Sequence, residues 1–223
     1  MKRSVTQELL DTDTGSVAQV QSSLHDLRRI NRWFGGIRVM RKLVIRAARQ
    51  GACKTISYLD VAGASGDIVA GLTETLSHEF RPMVLDRSLA HKPVNLPFIC
   101  GDALQLPFAD NCFDMVGCSL FAHHLEPEEI VQFVNEGLRV CRIAVLINDL
   151  RRSAASLALV YAGFPLFRSA ITRHDAPASV RRSYTMGELT AIIQKGRSEN
   201  CQAEKFYLFR MGVIVWKQNH QVR

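Results

Sequence analysis

Strand-like and helix-like segments alternate from Thr55 to Asp149, and this predicts an α/β protein with a Rossmann-like doubly wound sheet, mostly parallel, closed by an antiparallel last strand. Two segments reinforce the prediction. Asp60-Val61-Ala62-Gly63-Ala64-Ser65-Gly66-Asp67-Ile68 reads as a strand ending in an acid, a small-residue turn, then a helix with Ile68, Leu72 and Leu76 on one face. Side chains this small let backbone N–H groups and a helix N-terminus approach a ligand. Val84-Leu85-Asp86 reads as a second strand closing on a carboxylate, where nucleotide-binding α/β units carry the acid that holds ribose hydroxyls.

In chain order, residues 1–19 are polar and aperiodic, which predicts a loosely ordered arm. Two helices are expected from Val20 to Gln50, broken at Gly35-Gly36. Trp33 and Phe34 precede that break; they either line an acceptor pocket or pack the helix pair on the domain. Strands are expected near 55–61, 82–86, 96–100, 113–119 and 141–148, with helices near 67–79 and 127–139. The second helix has Pro127 in its first turn and Glu128 and Glu129 at the positive end of its dipole. From Arg151 to Arg182 the alternation stops: an apolar helix, a break at Gly163-Phe164-Pro165 and the polar run Thr172-Arg173-His174-Asp175-Ala176-Pro177 predict a mobile lid. A helix from about Thr185 and strands at 204–209 and 212–217, turning at Met211-Gly212, would finish the sheet. The expected organisation is an arm with cap helices over 1–50 and one domain over 51–223, with the lid at about 151–182.

Composition narrows the function. The chain has 223 residues, 47% of them hydrophobic, enough for one full core. The net charge of +7 is modest; its densest basic region, Arg28 to Arg49, reads as a solvated helix face, so nucleic acid is not an expected partner. No apolar run reaches the roughly 20 residues of a spanning helix, which leaves peripheral membrane contact open. The six cysteines sit mostly in or beside apolar strand-like runs, with no zinc-ligand spacing, and are expected to be reduced core thiols of a cytoplasmic protein.

The turn at Asp60–Gly66, Asp86, and the run Gly101-Asp102-Ala103-Leu104-Gln105-Leu106-Pro107-Phe108 through Phe113-Asp114 together resemble the class I S-adenosylmethionine-dependent methyltransferases, within them the ubiquinone/menaquinone-biosynthesis branch. The resemblance spans roughly Thr55 to Asp149 and departs from that branch at Ala64, where glycine is usual, and at Cys118-Ser119-Leu120-Phe121-Ala122-His123-His124-Leu125, so no quinone substrate is implied. It implies S-adenosylmethionine as cofactor, with Ala62, Gly63, Ala64, Ser65 and Gly66 cradling the methionine part, Asp86 and the adjacent Arg87 at the ribose, and Asp102 and Ala103 at the adenine. Asp60 either bears on the methionine ammonium or holds the turn. Ser119, Leu120 and Phe121 lie at the carboxyl edge, where open α/β sheets bind ligands.

His123 and His124 follow that edge; one imidazole is a candidate general base, or the pair caps the next helix. Metal is not expected, on the reasoning that adjacent histidines point apart and no third ligand is spaced to join them. Asn148 and Asp149 end the fifth strand and, with Arg173 and His174 of the lid, are candidates for orienting the acceptor. The expected reaction is methylation of a small aromatic or lipophilic molecule, at oxygen ahead of carbon. The alternatives are a non-catalytic or RNA-directed S-adenosylmethionine-binding protein and, against the glycine pattern, a dinucleotide-dependent oxidoreductase.

Overall fold

The computed structural model describes residues 1–76, 79–196 and 200–218. Its regular elements are helix α1 (Val17–Trp33), α2 (Gly36–Gln50), strand β1 (Thr55–Val61), α3 (Asp67–Thr75), β2 (Glu79–Asp86), β3 (Phe98–Cys100), β4 (Phe113–Ser119), α4 (Pro127–Val140), β5 (Cys141–Leu150), α5 (Ala154–Ala162), α6 (Ala170–Arg182), α7 (Met186–Lys195), β6 (Cys201–Phe206) and β7 (Arg210–Trp216). One seven-stranded sheet runs β3-β2-β1-β4-β5-β7-β6, parallel up to β5, with β7 antiparallel to both β5 and β6. This is the expected doubly wound sheet, with the strand order reversing at β1/β4.

The period-two alternation of the central strands splits the core. Leu59 and Val61 of β1 face a cluster with Ile130, Phe133 and Val134 of α4 and Leu189 and Ile193 of α7. Ile56 and Tyr58 face the opposite cluster, with Met40, Leu43 and Val44 of α2 and Ile68, Val69 and Leu72 of α3. Each such fully buried aliphatic side chain contributes about 1.5–3 kcal/mol. Helix α2 therefore belongs to the sheet's own layers and is not a cap. Local signals set the helix starts: Ser16 with Gln19 and Thr185 with Glu188 form capping boxes, and Glu126 with Glu129 forms an equivalent pair ahead of Pro127.

Four expectations about the elements are corrected. Helix α3 stops at Thr75, and β2 begins at Glu79 because Thr55 pairs there; residues 77–78 of the expected helix lie outside the described residues. Pro82 is tolerated within β2 because β3 pairs only from Val84 onward. The final hairpin turns at Leu208 and Phe209, both left-handed (φ 57° and 58°), while Met211 and Gly212 lie inside β7 opposite Asp149 and Asn148. A Cβ on Gly212 would lie 2.7 Å from Phe206 and 3.0 Å from Leu43, so that glycine serves packing. The polar run 172–177 is helical, because Asp26 of α1 accepts from Arg168 and Ser169 N–H (2.7 and 2.9 Å) and anchors the start of α6.

The arm is the fourth correction, and the one that shapes the site. Leu9 and Leu10 N–H donate to the carboxylate of Asp175 (2.9 and 3.0 Å), Ser4 N–H donates to the Arg181 carbonyl (3.1 Å), and Arg3 pairs with Glu126 (3.0 Å). The arm thus lies along α6 and crosses the carboxyl edge of the sheet. Its order comes from polar contacts more than 100 residues away in sequence, which local periodicity does not register.

Candidate active site

The end of β1 delivers Asp60 into the sheet edge, 1% exposed, with neither carboxylate oxygen hydrogen-bonded. Burial, then the nearby Asp67 and Asp86, push its pKa well above the usual carboxylate range. The turn that follows keeps its backbone close by holding Ala62, Ala64 and Gly66 in the left-handed region (φ 53°, 44° and 70°). A Cβ on Gly63 would fall 2.7 Å from Asp60 Oδ2 and 2.9 Å from Val84 Cγ1, so only glycine fits. Ala64, where the resembled family usually has glycine, spends strain to present its N–H to Asp86 Oδ2 at 2.9 Å.

Asp86 ends β2 and also accepts from Ser88 N–H (2.9 Å). Burial works against its charge, but His91 and the two amides outweigh it and hold the carboxylate below its ordinary pKa. His91 bridges outward, with Nε2 2.7 Å from Asp13 of the arm and Nδ1 3.7 Å from Asp86. Arg87 donates to the Asp11 carbonyl, and Ser65 Oγ accepts from Arg28 (3.1 Å). Gly101 N–H bonds the Asp86 carbonyl (3.1 Å), which brings the Asp102-Ala103 loop beside β2; Asp102 is exposed and caps Leu104 N–H (2.8 Å). Most of the sequence-predicted cofactor residues therefore share one edge, formed by the carboxyl ends of β1, β2 and β3 with their loops, while Ser119 and Leu120, also expected at the cofactor, follow β4.

On the other side of the switch point, Leu120 is left-handed (φ 54°) and its N–H bonds the Asn148 carbonyl (2.9 Å), tying the β4 exit to β5. Asn148 is fully buried; its amide donates to the Gly36 carbonyl and Ser119 Oγ (both 3.1 Å) and its Oδ1 accepts from Arg210 (3.3 Å). Arg210 itself is 1% exposed and bonds only neutral acceptors, Phe34 O and the Asn31 and Asn148 side chains, so burial lowers its pKa to about 10.

Between this edge, α1, α5 and α6 lies a cavity of about 130 Å³. Its wall is mostly apolar, with Leu10, Leu27, Ile30, Phe34, Leu120 and Phe167, while Glu8, Asp175 and Arg210 supply charge. Phe34 lines it as one sequence reading had it. Trp33 does not: it is more than half exposed, its ring under the Arg29 guanidinium at 4.7 Å. Arg173 and His174 are also exposed, on the outer face of α6; Thr172, Asp175, Ala176 and Ser179 of that helix line the wall instead. The helical spacing 172, 175, 176, 179 carries that signal, visible once the segment is read as a helix. Phe121 packs on Phe133, centroids 5.7 Å apart, and stays out of the cavity.

His123 and His124 sit in a 3-10 turn (Ala122–His124), and their rings do not diverge: the centroids are 4.3 Å apart. Asp149, 1% exposed, takes His123 N–H (2.9 Å) and Nδ1 (2.7 Å), while His124 Nδ1 lies 2.9 Å from Asp11. Glu8 Oε1 faces both outer nitrogens, 3.5 Å from His123 Nε2 and 3.8 Å from His124 Nε2. Burial disfavours the His123 cation, yet Asp149 and Glu8 raise its pKa to about 10. Neither histidine touches the cavity; Glu8 does, with Oε2 accepting from Ser179 (2.8 Å). Glu8 and Asp11 were absent from the sequence-derived site because the arm read as unstructured, and Asp175 because its segment read as a polar lid.

Among the cysteines, Cys118 and Cys141 are core thiols as expected, but Cys100 and Cys112 are exposed; all six are free. No helix among the described residues is long and apolar enough to cross a membrane.

Residues 51–145 match the family model described as a methyltransferase domain. Over 99 residues the chain is 35% identical to the ubiquinone/menaquinone biosynthesis C-methyltransferase UbiE of Roseobacter denitrificans, covering 38% of this chain and 37% of that protein's length. Among solved structures, the plantazolicin methyltransferase BpumL in complex with SAH superimposes with a TM-score of 0.70 at 11% identity, covering 94% of each chain. A SAM-dependent methyltransferase from Aquifex aeolicus gives 0.52 at 15% identity, over 79% of this chain and 89% of the other. At such identities these two show the fold. Strand order, the glycine-only turn at Gly63, the strand-end acids and the family match converge on a methyltransferase domain over residues 51–145, in a chain that has the fold of S-adenosylmethionine-dependent methyltransferases.

Proposed function

We propose that the chain binds S-adenosylmethionine along the carboxyl ends of β1, β2 and β3 and methylates, at oxygen, a small aromatic or lipophilic acceptor held in the cavity between α1, α5 and α6. The cofactor edge fits such a group. Asp60 is an unpartnered buried carboxylate whose natural complement is a cation, and an ammonium supplies one. Asp86, backed by two amides, faces the position where a ribose diol is held in this fold. The adenine would then lie against Asp102 and Ala103, and the backbone of Ala62 to Gly66 would run beside the methionine part.

The observation that carries the acceptor reading is the cavity itself. At about 130 Å³ it approaches the 150 Å³ of an engineered apolar cavity that takes up benzene, so it accommodates about one aromatic ring. Its apolar wall favours a lipophilic body, and the Glu8 carboxylate on that wall is the polar group that a hydroxyl would meet. S-adenosylmethionine supplies a methyl group on an activated sulfonium, so the protein's task is alignment and removal of the hydroxyl proton. Glu8 accepts that proton in this reading, with His123 and Asp149 behind it as positioning residues. His123 is placed there and not as the direct base because both its ring nitrogens face carboxylates and neither reaches the cavity.

The test is incubation of the full chain with labelled cofactor and a panel of hydroxylated and non-hydroxylated aromatic compounds, with mass detection of product. Phenolic O-methylation, reduced about two to four orders of magnitude in Glu8→Gln while S-adenosylhomocysteine affinity holds, supports the assignment. Carbon-methylated product, or full activity in Glu8→Gln, overturns the oxygen acceptor and the role of Glu8 respectively.

A further inference from the structure

We propose that Glu8, His123 and His124 form a site for one divalent transition-metal ion of the zinc type, an assignment that goes beyond the methyl-transfer reading. His123 Nε2, His124 Nε2 and Glu8 Oε1 all lie within 4.8 Å of one another, with the two nitrogens 3.5 and 3.8 Å from the carboxylate oxygen. Ligands at about 2.0–2.2 Å from a tetrahedral zinc stand roughly 3.4 Å apart, so the two edges to Glu8 need shifts of only a few tenths of an ångström, and the edge between the two nitrogens lies within 4.8 Å.

Two independent features show that the triangle is built. First, Glu8 Oε1 and His123 Nε2 are buried and have no hydrogen-bond partner, although they face each other at a distance that a small shift would turn into a bond. Second, each imidazole is held from behind by a carboxylate: Asp149 on His123 Nδ1 at 2.7 Å, Asp11 on His124 Nδ1 at 2.9 Å. A carboxylate behind Nδ1 holds that nitrogen's proton, so Nε2 is the atom turned toward a metal, the arrangement that orients and strengthens metal-binding histidines. Two imidazoles and one carboxylate suit zinc, iron(II) or cobalt(II) better than the oxygen-seeking magnesium or calcium.

Charge points the same way. Glu8, Asp11 and Asp149 all face the two imidazoles, which sets three carboxylates around one point, and Arg182 bonds Asp11 at 3.3 Å. The metal assignment does not rest on the acceptor assignment.

Cobalt(II) titrated into the metal-free full chain is the probe, since its tetrahedral complexes have characteristic visible absorption. One equivalent should bind with that spectrum and be displaced by zinc. Glu8→Gln and His124→Gln should each weaken binding at least a hundredfold, and Asp11→Asn about tenfold to a hundredfold. Circular dichroism confirms that each variant is folded, and the double variant Cys100→Ser, Cys112→Ser should bind as the parent does. Absence of stoichiometric uptake overturns the site, as does uptake that survives both Glu8→Gln and His124→Gln. Binding is read without substrate, so an inactive protein that takes up cobalt refutes the proposed reaction alone, and an active one that takes up none refutes the metal site alone.

Discussion

At the cofactor edge, the groups that would face a ligand come from consecutive strand ends, Asp60, Asp86 and the Asp102 loop, within 43 residues of sequence. Over the neighbouring cavity the wall is assembled from Glu8 and Leu10 of the arm, Phe34 after α1, Leu120 after β4, Asp175 of α6 and Arg210 at the start of β7. The edge is built by backbone geometry, with left-handed residues and a glycine that admits no Cβ. The cap is built by polar side chains reaching across more than 100 residues. The first design tolerates little substitution but survives loss of distant contacts; the second is open to changes of acceptor and depends on each anchor.

That contrast breaks most sharply at Gly63. The overlap of a new side chain with Asp60 and Val84 predicts that Gly63→Val lowers S-adenosylhomocysteine affinity by at least a hundredfold, about 3 kcal/mol, while a chain that still folds keeps its arm docked. Calorimetric titration with circular dichroism checks this, and normal affinity in a folded variant would remove the turn from the cofactor site.

The matching test of the cap is Asp175→Ala. It removes the acceptor of Leu9 and Leu10 N–H, a charge-assisted pair worth about 2 kcal/mol. Hydrogen exchange of the first 14 residues should accelerate with sheet amides unchanged. Equal acceleration throughout would mean that arm and sheet unfold as one unit.

His91 couples the two regions and gives a pH dependence. Burial disfavours its cation, but bonds to Asp86 of β2 and Asp13 of the arm outweigh that and raise its pKa above 6.5. A raised folded-state value means the contribution is fully present below about pH 6.5 and is lost as pH rises through the folded pKa. Asp86, shifted down, stays ionised across this window. Arm amides near Asp13 should therefore exchange faster as pH increases, beyond the intrinsic base catalysis seen in an unstructured peptide, and His91→Gln should flatten that excess.

The same division explains what the sequence disclosed. The doubly wound sheet and its antiparallel close were legible because strand alternation is local, as are the small-residue turn and the strand-end acids that the structure brings to one edge. The arm was not: Glu8, Asp11 and Asp13 look like any polar terminus until His124, Asp175 and His91 are placed beside them. The hairpin was misplaced by about three residues because Gly212, the apparent turn former, fills a packing position, while Leu208 and Phe209 accept left-handed geometry that side chains of their size disfavour. Leu208 lines the cavity, which places the strain at the proposed acceptor site. The histidines were expected to point apart as sequence neighbours; a 3-10 turn brings their rings together.

The smallest expected effect is also the one that separates the sequence expectation from the structure. Arg173 and His174 had been candidates for orienting the acceptor, but both lie on the exposed face of α6, with Arg173 bonding the Phe167 carbonyl (2.9 Å) and His174 Nδ1 lying 2.8 Å from Asp175. Helical geometry turns the 173–174 face away from the face of Thr172, Asp175 and Ser179, so the double variant Arg173→Ala, His174→Ala removes two surface contacts and no cavity wall. Exposed pairs of this kind are worth about 0–1 kcal/mol. Acceptor KM and S-adenosylhomocysteine affinity should both stay within about twofold of the parent, a change of roughly 0.4 kcal/mol. A larger rise in KM with unchanged cofactor affinity would mean that α6 rotates its outer face inward when acceptor binds, and the cap would then be a moving lid with a wall different from the one described.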